Sequence, residues 1–142
     1  SKALGCPIGS ILLGSKELIG KALRARKLFG GGMRQVGYIA AAGIYALDHH
    51  IQRLKEDHQL AAEIGAMLSD IDYVEKVNTV HTNIIMFKLK STVDPETFIE
   101  YLANNNVNAV YFGENKVRFV THLNVDVKIM EPLRVILNNF KV

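Results

Sequence analysis

Apolar positions along this chain of 142 residues keep a helical period as far as about Ser69 and alternate through much of the second half. Residues 1 to 9 carry Gly5, Pro7 and Gly9 at alternate places, which breaks regular structure and predicts a tight loop. Ser10-Ile11-Leu12-Leu13-Gly14 reads as a short buried strand closed by glycine. Ser15 is placed to cap a helix in which Glu17 occupies the first turn and Leu18, Ile19, Ala22 and Leu23 share a face. The run Gly30-Gly31-Gly32 stops that helix near Leu28 or Phe29. From Met33 to about Leu47 the chain is rich in Ala, Ile and Tyr with few charges, the pattern of a largely buried helix. Asp48 is the candidate cap of the next helix, His49 to Ser69. There Ile51, Leu54, His58, Ala61, Ala62, Gly65 and Leu68 form an apolar stripe opposite Arg53, Lys55, Glu56 and Glu63.

After Asp70 the period changes. Asn83 to Leu89 is apolar and rich in strand formers, Val107 to Phe112 alternates, and Lys116 to Leu123 alternates cleanly. Between the first two, Asp94-Pro95-Glu96 opens a helix to about Asn104, with aspartate as cap and proline in the first turn. Asp126 to Phe140 reads as an amphipathic helix in which Pro132 makes a kink or marks the true start. The second half therefore predicts strand, helix, strand, strand, helix: a small sheet with helices on one face. A strand at 10–14 followed only by helices has no edge to pair with, so residues 1 to 14 read as part of a larger sheet supplied by another segment.

Composition narrows the classes. About half the residues (49%) are apolar, which excludes a disordered chain, and a net charge of +3 spread along the chain favours neither a nucleic-acid partner nor a membrane surface. The basic excess is local: Lys16, Lys21, Arg24, Arg26, Lys27 and Arg34 face only Glu17, which makes that stretch attractive to an anionic ligand. Cys6 is the single cysteine, so no intrachain disulfide forms, and a reducing cytoplasm is the expected location. No apolar run approaches the ~20 residues of a membrane span, and the start lacks both an initiator methionine and the pattern of a signal peptide.

Few residues announce chemistry by themselves. No His/Cys/Asp/Glu set has zinc spacing and no P-loop is present. His58 reads as a hydrogen-bonded packing residue, His49 and His50 as a helix junction, and His81 and His122 stay open. Lys2, directly before a Gly/Pro loop, has two readings. It is a solvated lysine near a chain end, or one held out of water by Pro7 and Ile8 and near Arg34, with a lowered pKa and an amine free to form a Schiff base. Arg34 after three glycines is an exposed loop charge or a phosphate ligand. In KVRFVTHL, Lys116, Arg118, Val120 and His122 share the more polar face.

The stretch SKALGCPIGSILLG, the later RARKLFGGGMRQ with its Ala-rich helix, Glu56-Asp57-His58 and the late KVRFVTHLNV together closely resemble the low-specificity threonine aldolases, pyridoxal-phosphate (PLP) enzymes of the aspartate-aminotransferase fold. The resemblance covers essentially the whole chain and is most specific in the lysine loop and GGGMRQ. It implies an α/β fold: the last strand and helices of a fold-type-I large domain over residues 1–48, then a small C-terminal α/β domain with a mainly antiparallel sheet over 49–142. It makes Lys2 the Schiff-base lysine and sets Arg34 near the cofactor phosphate, within reach of a subunit interface. It also sets Lys27 near the active-site entrance and gives Arg118 the substrate α-carboxylate. A homo-oligomer, dimer or tetramer, is the implied assembly.

The implied activity is aldol cleavage of β-hydroxy-α-amino acids to glycine and an aldehyde. Members of the family are more than twice this length. Their upstream part supplies the aspartate on the pyridine nitrogen, the histidine stacked on the ring, the phosphate loop and a second arginine, so the upstream segment is an expected partner and this chain alone is expected to be inactive. Two other readings stand beside this one: another fold-type-I enzyme such as a β-eliminating lyase, since fold and lysine do not fix the reaction, and a non-catalytic module holding an anion on residues 16 to 34.

Overall fold

The computed structural model describes residues 3–141. Helix α1 (Lys16–Leu28) begins where Ser15 accepts the Leu18 N–H at 3.2 Å. It ends in a glycine-closed turn: Gly30 has φ +79°, and Gly31 N–H reaches the Arg26 carbonyl at 2.8 Å while Gly30 N–H reaches that of Lys27 at 3.2 Å. Next in the chain are helix α2 (Gly37–His49) and helix α3 (Leu54–Ser69).

A four-stranded sheet, wholly antiparallel and ordered β1-β2-β4-β3, forms the rest with two more helices. Its strands are β1 (Val74–Val77), β2 (Ile84–Leu89), β3 (Val110–Tyr111) and β4 (Lys116–Val120). Helix α4 (Pro95–Asn104) is capped by Asp94, which accepts the Thr97 N–H at 2.9 Å. A 3-10 turn at Val127–Ile129 leads into α5 (Met130–Asn139). Pro132 therefore sits in the first turn of a helix, where its missing N–H costs nothing.

Alternation puts Ile85, Phe87, Leu89, Val117 and Phe119 on one face of the sheet, buried against Leu60, Ile64 and Leu68 of α3, Phe98 and Leu102 of α4, and Leu133 and Leu137 of α5. Tyr73 joins this core and donates its hydroxyl to the Leu137 carbonyl at 2.8 Å. Burial pushes its pKa well above the usual tyrosine range, with Tyr101 adding to the effect.

Several expectations need correction. Residues 10–14 form no strand; Ile11, Leu12 and Leu13 are exposed and pair with nothing among the described residues. The apolar helix expected over 33–47 exists as α2 but is not buried: Ala46 alone is, while Tyr38, Ile44, Tyr45 and Leu47 face outward. Asp48 caps nothing, because α2 continues through it and α3 starts at Leu54 without a side-chain cap. The buried stripe of α3 is rotated by one residue, so that Asp57 lies inside and His58 is exposed. The strand expected over 107–112 shortens to two residues, and β1 adds a strand that local pattern does not predict.

Candidate functional site

Arg118 is set by a tight hairpin. Gly113, Glu114 and Asn115 all have positive φ (77°, 50° and 58°), Lys116 N–H returns to the Gly113 carbonyl at 2.8 Å and Phe112 N–H reaches the Lys116 carbonyl at 2.8 Å, which closes the hairpin through a left-handed three-residue loop. The turn aligns β3 with β4, so Arg118 lies between Val110 on one side and Met86 of β2 on the other, on the face of the sheet opposite the core. The hairpin also brings the Phe112 ring under the guanidinium, 5.2 Å from its carbon. The Arg118 side chain is half-buried, and its Nε is buried without a hydrogen-bond partner among the described residues. A buried donor left unpaired costs about 1–3 kcal/mol. Arginine with an unspent planar fork beside an aromatic ring suits a carboxylate.

The other sequence-predicted residues lie elsewhere. Lys27 is exposed in the last turn of α1, and Arg34 is exposed on the glycine-rich turn before α2. Helix α1 packs extensively against no other helix or strand among the described residues, so nothing joins these two cations to Arg118. Lys2 lies outside the described residues. Pro7 and Ile8, in the loop that follows it, are exposed.

What the sequence did not disclose is how the loop after Lys2 is anchored. Leu4 offers its carbonyl to His50 Nδ1–H at 2.6 Å, and Ala3 offers its own to an Arg53 guanidinium N–H at 3.4 Å. Arg53 is paired with Asp57 through two bonds of 2.7 and 3.1 Å, and Asp57 is 1% exposed. The Thr121 hydroxyl, one residue past β4, donates to the Asp57 carbonyl at 2.7 Å. The signal available in sequence was the Arg53 to Asp57 spacing of four on one helix, which places opposite charges within reach. Burial, which makes the pair matter, was not visible there.

Two clefts, of about 520 and 550 Å³, indent the packed unit, one beside Thr121, His122 and Asn124, the other beside Arg53, Asp57 and Leu123; neither is lined by Lys27, Arg34 or Arg118. Among the described residues no group of three His, Cys, Asp or Glu is placed to hold a metal ion, and no helix is long and apolar enough to cross a membrane.

The family model described as Beta-eliminating lyase matches residues 1–92. The chain is 41% identical over 125 residues to the low specificity L-threonine aldolase of Escherichia coli (strain K12), covering 88% of this chain and 36% of that protein. It is 34% identical over 125 residues to the low-specificity L-threonine aldolase 1 of Arabidopsis thaliana, covering 86% and 35%. The chain thus spans about a third of the length of these relatives. Among solved structures, the cystine C-S lyase C-DES superposes with a TM-score of 0.60 at 13% identity, over 75% of this chain and 29% of that one, a likeness of fold alone.

Proposed function

The chain belongs to the beta-eliminating lyase family, and from that premise we propose that it is the C-terminal segment of a PLP-dependent aldolase of the threonine aldolase type. Its reaction cleaves L-threonine, L-allo-threonine and related β-hydroxy-α-amino acids to glycine and an aldehyde. The fold is that of the type-I PLP enzymes, and the relatives at 41% and 34% identity carry the aldolase name. In this reading residues 1–48 complete the PLP-binding large domain and 49–142 form the small C-terminal domain. The upstream segment of the same enzyme and further copies of it, in a dimer or tetramer in the cytoplasm, complete the site.

The observation that carries the reading is Arg118, whose guanidinium rests on Phe112 with a buried Nε still unpaired among the described residues. A substrate carboxylate supplies the acceptors that this fork lacks and fixes the amino acid by two parallel bonds. Lys2 is the residue that holds the cofactor, Arg34 is its phosphate ligand, and Lys27 stands at the entrance. These residues suit an anionic cofactor, because Lys27 and Arg34 are exposed cations beside a glycine-rich turn that lets a phosphate approach the backbone. When bound, PLP accepts the electron pair released as the Cα–Cβ bond breaks. The β-hydroxyl proton leaves to a base, and Cα gains a proton to give glycine.

The experiment is borohydride reduction of the complete enzyme, with peptide mapping and product analysis with threonine. A pyridoxyl group on Lys2 with glycine and acetaldehyde as products supports the reading. A label on Lys16 or Lys27, or none in this chain, removes Lys2 from its role. Ammonia and a keto acid in place of glycine assign the enzyme to β-elimination.

A further inference from the structure

The contacts on the loop after Lys2 form one connected set. His50 closes α2 and Arg53 lies just before α3, so the turn between these helices brings both donors to the carbonyls of Leu4 and Ala3. A carbonyl only accepts, so the 2.6 Å contact requires the proton on Nδ1 of His50. Gly5, with φ +71°, lets the loop lie close: a Cβ there would stand 3.3 Å from Leu123 and 3.5 Å from the His50 ring. Cys6 adds a weak S–H bond to the Ala42 carbonyl at 3.6 Å. From Arg53 the path continues through Asp57 to Thr121, and so to the strand that carries Arg118.

A buried ion pair stabilises a fold little more than well-packed apolar residues of the same volume, because desolvation offsets the attraction. The Arg53–Asp57 pair is therefore best understood by what its geometry fixes. We propose that His50 and the pair of half-buried Arg53 with buried Asp57 are positioning residues that clamp the Ala3 and Leu4 carbonyls and so hold the loop that follows the cofactor lysine in register with the strand bearing Arg118. The proposal rests on Lys2 being the lysine that holds PLP. In this proposal His50 and Arg53 act through the loop, by their bonds to the Leu4 and Ala3 carbonyls.

The test uses the complete enzyme. In Arg53→Met/Asp57→Leu both charges are replaced by apolar groups, so no charge is left buried alone, and His50→Phe removes the other donor. Each is compared with His50→Asn, whose amide keeps a donor near the position of Nδ1. Backbone hydrogen exchange of residues 3–6 in the apoenzyme, the Kd for PLP by absorbance titration and the thermal melt are read on each. Loss of a bond of this kind corresponds to about tenfold faster exchange and about tenfold weaker PLP binding. The melt should be little changed, and His50→Asn should restore both values. Unchanged exchange and Kd in folded variants overturn the proposal, and if the double variant does not fold, His50→Phe decides it alone. Borohydride mapping of the unaltered enzyme separates the two failures: a label away from Lys2 removes the lysine assignment, whereas unaltered exchange at residues 3–6 removes the clamp.

Discussion

Helices α2 and α3 are neighbours joined by a short turn, yet the more apolar of the two is the more exposed. Helix α2 (GYIAAAGIYALDH) carries one acidic residue and buries only Ala46, whereas α3, with charges along its length, buries Leu60, Ala61, Ile64, Met67 and Leu68. The difference lies in what each helix meets. An amphipathic helix is satisfied by one sheet face, and α3 has β1 and β2 beneath it. A helix that is apolar all round needs partners on several sides, and the described residues leave most of α2 uncovered. The same holds for Leu28 and Phe29, 85% and 91% exposed at the end of α1. Surface of this kind is characteristic of an interaction site.

The sharpest way to break the comparison is truncation. Leu68→Ala in the chain by itself should lower stability by about 2–5 kcal/mol, while Ile44→Ala should change it by less than about 0.5 kcal/mol, both read by urea unfolding. In the complete enzyme Ile44→Ala should become as costly as a core truncation. An equal cost in both contexts would show that α2 gains no partner upstream.

Next in size is a substitution that should separate function from packing. Arg118→Lys keeps the charge on the open face of the sheet but loses the planar fork. In the complete enzyme it should weaken kcat/KM by something on the order of 2–5 kcal/mol, with the melt unchanged. Unchanged kinetics would take Arg118 out of the site, leaving its unpaired Nε without a functional partner.

Removing a cap should reveal how independent the first region is. Ser15→Ala should cost α1 about 1 kcal/mol, seen as faster amide exchange between residues 16 and 28. The unfolding of the sheet unit should not move, because α1 packs extensively on no other described element. A matching fall in both would join the two regions into one cooperative unit.

The smallest effect concerns pH. Bonds from the Thr97 side chain and backbone hold the Asp94 carboxyl below the usual aspartate range. Its folded pKa is depressed, so its contribution is complete above the unfolded value and is lost as pH falls through the folded one. Asp94→Asn should therefore flatten the acid limb of the stability profile of the sheet unit while leaving α1 unaffected. An acid limb identical in both proteins would mean that the cap is silent in folding.

Much of this architecture was legible from local patterns. Helices α1 and α4 announced themselves through Ser15, Asp94-Pro95 and the triple glycine. Strands β2 and β4 did so by composition and alternation, which also put Arg118 on the polar face. The anchoring of the lysine loop was not legible, because His50 and Arg53 act on carbonyls 46 and 50 residues away. Strand β1 (VEKV) has no local signature, because two of its four residues are charged and only pairing with β2 makes it a strand. The face of α3 differs from its pattern by one position, since an unpaired aspartate belongs outside and only the Arg53 fork allows Asp57 inside.

The sequence by itself determined where α1 starts and stops, where α4 starts, and which side of β2 and β4 is apolar. Those features rest on bonds between residues three or four apart and on the alternation of the extended chain. Tertiary structure alone decided which apolar faces are covered, which carboxylate is buried and what holds the lysine loop, because burial and pairing depend on groups that are distant along the chain and meet only when it folds.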